Sequence, residues 1–369
     1  MKVMFRVDSS TLLGAGHLMR CLTLAEVMRE RGVQLSFICR EHSGNLIALL
    51  RQKSMPFMAL PDIDINDPSI SDEYAQCLGV TQAEDAAQTI EIINGEQPDW
   101  LVVDHYALDV QWEQQVRPHI NNLMVIDDLA NRHHDCNLLL DQNYSPDGEQ
   151  RYTDLVPTSC STLLGPRYAL LRQEFRLIRE HLELRSYQLK RILVFFTAGD
   201  DQGETLKAMR GIELFGKAEH VDVVVGQSNP GNAEISQKCI ELNWGYHCQV
   251  DYMSSLIAQA DIVIGAGGAS NWERCALGVP SFVAILAANQ APIAQALDRA
   301  GIVINLGWYT DLQAADYEDA LNNLKYTHLA RMSERALKLV DAKGAERVVE
   351  KLLAGQSINL DQARLNLSC

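Results

Sequence analysis

Short apolar runs alternate with helical patterns along most of this chain, and that alternation most constrains its fold. Strands are predicted over residues 2–7, 33–39, 55–60, 100–104, 122–127 and 137–141, with helices over 17–31, 44–53 and 82–95 between several of them. Residues 172–190 are charged and periodic and predict a helix followed by a linker. A second series of strands is predicted over 191–197, 221–225, 246–250, 261–265, 280–285 and 302–306. Such alternation predicts parallel sheets covered on both faces. The fold class is therefore α/β, with two doubly wound, Rossmann-like parallel-sheet domains. The expected division is a first domain over 1–175, a linker over 176–190, a second domain over 191–329, and a C-terminal helix and tail over 330–369. That helix is predicted over 330–354, and residues 355–369, polar and without period, predict a loose tail. In open sheets of this kind ligands bind beyond the carboxyl ends of the strands, and two facing sheets would place a ligand in the cleft between domains.

The chain has 369 residues, 47% of them hydrophobic, which is ample for two cores of ordinary size. Its 32 basic and 48 acidic residues leave a net charge of −16. An acidic chain is poorly suited to the phosphate contacts of general nucleic-acid binding, although a local pocket for one small anion is compatible with it. The nine cysteines are odd in number and form no CxxC, which predicts free thiols in a reducing compartment. The start of the chain reads as a strand rather than a signal peptide, and no apolar stretch approaches membrane-spanning length. The expectation is a soluble cytoplasmic monomer with a small-molecule ligand and with no nucleic-acid or membrane partner.

Two loops follow first strands. The first runs from Asp8 through Ser10, Gly14 and Gly16 to His17, after which the apolar spacing of Leu18, Cys21, Leu22, Leu24, Ala25 and Met28 predicts a helix. A strand, a loop with two glycines and a helix start let backbone N–H groups approach a phosphate or sugar closely. At a helix start the positive end of the dipole favours the neutral imidazole, the form that accepts a proton, so His17 is a candidate general base. The plain alternative is a βα turn with a solvated histidine. The second loop is Thr197-Ala198-Gly199-Asp200-Asp201-Gln202-Gly203. Gly199 could offer N–H groups to a phosphate, while the two aspartates read as capping or turn residues.

The run Gly265-Ala266-Gly267-Gly268-Ala269-Ser270-Asn271-Trp272-Glu273 follows another predicted strand. One reading makes Ser270 an N-cap and Glu273 its capping-box partner. The other, favoured by the Leu277-Gly278-Val279-Pro280 that follows, places a diphosphate on this loop and Glu273 on a ribose diol. Asn289 and Gln290, after the strand at 280–285, open a further helix and could bind sugar hydroxyls or phosphate. In the first half, Asp104-His105-Tyr106, Asp127-Asp128 and Asn143-Tyr144 stand at strand ends, where side chains of a doubly wound sheet reach the ligand. His133-His134-Asp135 is not spaced to converge on one ion, so a surface or cap role is expected, with no metal and no cofactor.

Taken together, Phe5–Ser10 with Gly14–Leu22, Val103–Asp109, Ile126–Ala130, Cys136–Tyr144, Leu164–Phe175, Gly265–Glu273 and Asn289-Gln290 resemble the nucleotide-sugar hydrolases of pseudaminic acid biosynthesis. The resemblance covers roughly residues 1–310. It implies a GT-B-like fold and hydrolysis of UDP-2,4-diacetamido-2,4,6-trideoxy-β-L-altropyranose, with water attacking the anomeric carbon and inverting it, on a route that serves flagellin glycosylation. It further implies that His17 is the general base, that Glu273 and the 266–270 loop hold UDP, and that Asp8, Gly14, Gly16, Tyr106, Asn143, Gly199, Gly267, Gly268, Ala269, Ser270, Asn289 and Gln290 line the substrate. The chain departs from the family at 197–200, where Gly199 alone remains of a usual Gly-Gly pair, and is longer beyond 310. Rival readings are a glycosyltransferase of the same fold, a hydrolysing UDP-sugar 2-epimerase, and a non-catalytic binding module, against which His17 in a glycine loop argues.

Overall fold

Residues 1–62, 73–182 and 189–354 are described by the computed structural model. Two compact units emerge from the chain. One comprises Met1–Asn143, Asp147–Leu170 and the segment from Lys343 onward; the other comprises Tyr144–Pro146 and Leu171–Ala342.

The first unit holds a seven-stranded, all-parallel sheet. Its strands are β1 (Lys2–Val7), β2 (Gln34–Arg40), β3 (Phe57–Leu60), β4 (Trp100–Asp104), β5 (Asn122–Ile126), β6 (Leu138–Asp141) and β7 (Ser161–Leu164), in the order β3-β2-β1-β4-β5-β6-β7. Side chains alternate across β1. Val3, Phe5 and Val7 enter one core layer with Leu18, Cys21 and Leu22 of the helix Gly16–Glu30, while Met4 enters the opposite layer with Leu101, Val103 and Trp112. Both faces are thus covered, as a parallel sheet requires. One charged residue interrupts β1. Arg6 is fully buried and donates to Asp8 Oδ1 at 2.6 Å and to Asp85 through Nε at 3.0 Å and Nη2 at 2.5 Å.

The second unit holds six parallel strands: β8 (Arg191–Phe195), β9 (His220–Val225), β10 (Gly245–Cys248), β11 (Ile262–Ala266), β12 (Ser281–Ile285) and β13 (Ile304–Trp308). Their order is β10-β9-β8-β11-β12-β13. Ile192, Val194 and Phe196 pack with Ala208, Met209, Ile212 and Tyr317 on one face. At Gly265 in β11 a Cβ would stand 2.1 Å from the Phe195 carbonyl oxygen, so a glycine is required where these central strands meet.

In each sheet the strand order reverses beside the first strand, between β1 and β4 and between β8 and β11. These are the switch points at which doubly wound sheets open a crevice for ligands. The predicted strands agree with the observed ones to within two residues at each end, and β1 and β4 coincide. The four-residue β7 was not anticipated. The helix predicted over 330–354 is instead two helices, Tyr326–Leu339 and 344–354. Val340 is extended and Ala342 left-handed (φ +59°), which ends the first helix. Residues 344–354 then bury Ala345, Val348, Val349 and Leu352 in the first unit's core. The tail predicted over 355–369 lies outside the described residues.

Candidate active site

The loop after β1 is shaped by its own polar groups. Ser10 Oγ accepts the N–H of Leu12 (3.2 Å) and of Leu13 (2.9 Å), and the Ser10 carbonyl accepts Gly14 N–H at 2.9 Å. Gly14 holds φ +77°, which L side chains rarely adopt. Gly16 then begins the helix Gly16–Glu30, whose N-terminus receives no side-chain cap. Uncapped first-turn N–H groups are ready donors for an anion or a sugar oxygen.

His17 lies in that first turn and is buried, with 5% of its surface exposed. Its Nδ1 stands 2.6 Å from Oδ1 of Asp104, at the carboxyl end of β4. A carboxylate only accepts, so Nδ1 carries the hydrogen, and in the neutral form of the ring the lone pair is on Nε2. Asp104 is fully buried. Burial acts to raise its pKa, but Arg20 and His17 outweigh it and hold the carboxyl well below the usual range. Arg20, one helical turn after His17, grips Asp104 with Nε to Oδ2 and Nη2 to Oδ1, both at 2.6 Å. Its Nη1 reaches Asp128 Oδ2 at 2.6 Å. Asp128 also accepts Tyr106 OH (3.0 Å) and Asn143 Nδ2 (2.8 Å). The Tyr106 ring meets the His17 ring edge-on, 4.4 Å between centroids. Burial, reinforced by Asp128, pushes the Tyr106 hydroxyl well above its ordinary pKa, so it stays a neutral donor.

His17, Tyr106 and Asn143, three of the predicted site residues, thus meet through Asp104, Arg20 and Asp128. The arrangement can hold one imidazole in a single tautomer and stabilise it once it gains a proton. Arg20 was missed as a site residue, although its i+3 spacing from His17 puts both on one helix face. Asp8, predicted to meet substrate, is fully buried; its Oδ1 accepts Arg6 and the Arg40 N–H (2.7 Å), so it braces the strand ends beneath the loop. His134, expected at the surface or in a cap, is buried with Nδ1 2.7 Å from Glu113 Oε1. Among the described residues no group of three His, Cys, Asp or Glu side chains is arranged to hold a metal ion.

In the second unit, the loop after β8 is settled by its aspartates, which act as the predicted turn and capping residues. Asp200 Oδ1 accepts Gln202 N–H at 2.8 Å, and Asp201 accepts Gly203 N–H at 3.0 Å and Thr205 N–H at 3.3 Å. Gly199 N–H points to Thr197 Oγ1 at 3.3 Å. After β11, Gly267 N–H bonds the Ala284 carbonyl, and Gly268 and Ala269 lead into the helix Ser270–Ala276. The capping box of the alternative reading does not form. The N-cap is Ala269, without a side-chain cap bond, and Ser270 is the first helical residue. Glu273 faces Arg172 instead, Oε1 to Nη2 at 3.5 Å. Burial raises the Glu273 pKa, and Arg172 opposes it. Gln290 lies against the same loop. A Cβ on Gly268 would be 3.6 Å from its Nε2, and its Oε1 accepts Leu286 N–H at 3.0 Å. Asn289 is its neighbour in the short helix Ala288–Gln290. Gly267, Gly268, Ser270 and Gln290 are therefore brought together at the carboxyl end of β11.

No protein-family model matches the chain. It is 28% identical over 253 residues to the UDP-2,4-diacetamido-2,4,6-trideoxy-β-L-altropyranose hydrolase of Campylobacter jejuni, covering 68% of this chain and 79% of that one. It is 27% identical over 190 residues to the spore coat polysaccharide biosynthesis protein SpsG of Bacillus subtilis, covering 50% of this chain and 56% of that protein. Among solved structures it superposes on Acinetobacter baumannii MurG with a TM-score of 0.67 at 13% identity, covering 96% of this chain and 99% of that one. The calicheamicin glycosyltransferase CalG4 gives a TM-score of 0.60 at 15% identity, covering 96% and 97%. The fold is GT-B-like, and at the level of the family the sequence resembles the UDP-2,4-diacetamido-2,4,6-trideoxy-β-L-altropyranose hydrolases.

Proposed function

We propose that the chain is a nucleotide-sugar enzyme that hydrolyses UDP-2,4-diacetamido-2,4,6-trideoxy-β-L-altropyranose, or a sugar nucleotide closely like it, with inversion at the anomeric carbon. The observation that carries this reading is the hydrogen bond between His17 Nδ1 and Asp104, in a chain similar to a hydrolase of that substrate. In the step proposed, His17 Nε2 takes a proton from water as its oxygen bonds to C1. The C1–O bond to the diphosphate breaks on the opposite face, and UDP leaves with the electron pair. Asp104 steadies the imidazolium so formed. One positioned base of this kind supplies about 10²–10⁴ in rate.

UDP is already a good leaving group when donors meet its phosphates. Gly267, Gly268, Ala269 and Ser270 are assigned to the diphosphate, with the loop at Gly199 beside it. Glu273 is assigned to the ribose, and Asn289 and Gln290 to sugar hydroxyls or phosphate. Gly14, Gly16, Tyr106 and Asn143 are assigned to the sugar. No step is assigned to a metal or cofactor. No helix among the described residues is long and apolar enough to cross a membrane.

The test is turnover of candidate UDP-sugars in ¹⁸O-water, with both products weighed. Label in the free sugar, with the C2 configuration retained by NMR, is the expected result. Label in UDP means attack at phosphorus and overturns the mechanism. Sugar release only when an alcohol is added identifies a glycosyltransferase, and a C2-inverted product identifies a 2-epimerase.

A further inference from the structure

Cys136 lies just before β6 and Cys160 just before β7, so two adjacent parallel strands begin beside a pair of thiols. The sulfurs stand 3.6 Å apart although 24 residues separate them. Cys136 is buried, whereas Cys160 is only half-buried and so within reach of a small oxidant. We propose that Cys136 and Cys160 are a peroxide-sensitive dithiol that closes to a reversible intrachain disulfide, independent of the His17 site.

The two thiols have different parts. Hydrogen bonding from Cys136 holds the Cys160 thiol below its ordinary pKa against burial, with help from the Leu139 backbone and nearby His134. The pKa of Cys136 is driven up, first by the same pairing and then by burial. Cys160, the more exposed of the two, is the attacking thiolate, and Cys136, buried beside it, is the resolving thiol. In the first step the Cys160 sulfur bonds to one peroxide oxygen, the O–O bond breaks, and the departing hydroxide takes a proton to become water. In the second the Cys136 sulfur attacks the resulting sulfenic acid, the S–O bond breaks, and a second water leaves with the Cys136 proton. Two thiols lose two electrons and one peroxide becomes two waters. The closing motion is on the order of 1–2 Å, within what two short loop segments can supply.

The test treats the full-length protein with hydrogen peroxide, alkylates the remaining thiols and maps the peptides by mass spectrometry. A linked Cys136–Cys160 peptide, ~2 Da lighter than its two thiol parts and reopened by dithiothreitol, is expected. It should accumulate about tenfold faster than oxidation of the exposed Cys248. In Cys136→Ser the oxidation should stop at a dimedone-trappable sulfenic acid on Cys160. Oxidation of Cys160 without the linked peptide in the unsubstituted protein, or oxidation of Cys248 ahead of both, overturns the proposal.

Discussion

His17 Nδ1 and Asp104 Oδ1 stand 2.6 Å apart, and this contact decides which ring nitrogen keeps its lone pair. Asp104→Asn keeps the shape but removes the charge and offers the ring a donor. The expected outcome is a loss of about 10²–10⁴ in turnover, with UDP affinity essentially unchanged. Steady-state kinetics paired with UDP titration calorimetry checks it.

Arg20 ties Asp104 to Asp128, and its side chain is only 9% exposed. Arg20→Met leaves two carboxylates without their cation and should cost about 3–5 kcal/mol of stability. Arg20→Lys should recover only part of that, because an ammonium cannot form the two-pronged contact with Asp104. Denaturant midpoints of the three proteins decide the order.

His134 sets a pH dependence on the alkaline side. Burial opposes its charge, but Asp127 and Glu113 outweigh burial and raise its pKa from 6.5 to about 9. The folded state therefore binds this proton more tightly than the unfolded state. The stabilisation is full below pH 6.5 and is lost as pH rises through about 9. The loss expected is about 3 kcal/mol. His134→Gln should flatten stability between those limits; an unchanged slope in chemical denaturation across pH 7–9.5 contradicts the assignment.

Glu273 is assigned to ribose, and a carboxylate accepting hydroxyl donors contributes a charged hydrogen bond. Glu273→Ala should weaken UDP binding by about 10–100-fold, while turnover at saturating substrate stays near that of the parent protein. Calorimetry and a KM-against-kcat comparison read the two effects separately.

The sheets were legible because buried parallel strands are written as continuous apolar runs, as in Trp100–Asp104. Ser161–Leu164 was not, since four residues with two hydroxyls carry no such run. The 330–354 pattern was read as one helix because its apolar spacing continues across a break that depends on the backbone of Val340 and Ala342. At the site, the glycine loop and His17 are local features and could be seen. Asp104 and Asp128 could be placed at strand ends, but that Asp104 and Arg20 orient the ring could not. Arg20 lies 84 residues from Asp104 and 108 from Asp128 in sequence, and only the strand order brings them together. Ser270 and Glu273 had capping-box spacing, but the helix starts one residue earlier than that pattern assumes.

The central claim is that His17 takes the proton from water and does not hold the nucleotide. Turnover and UDP affinity measured side by side in His17→Ala and His17→Leu test it most directly. The account predicts a loss of about 10²–10⁴ in turnover with UDP affinity little changed. Undiminished turnover, or UDP binding that collapses with the activity, contradicts it.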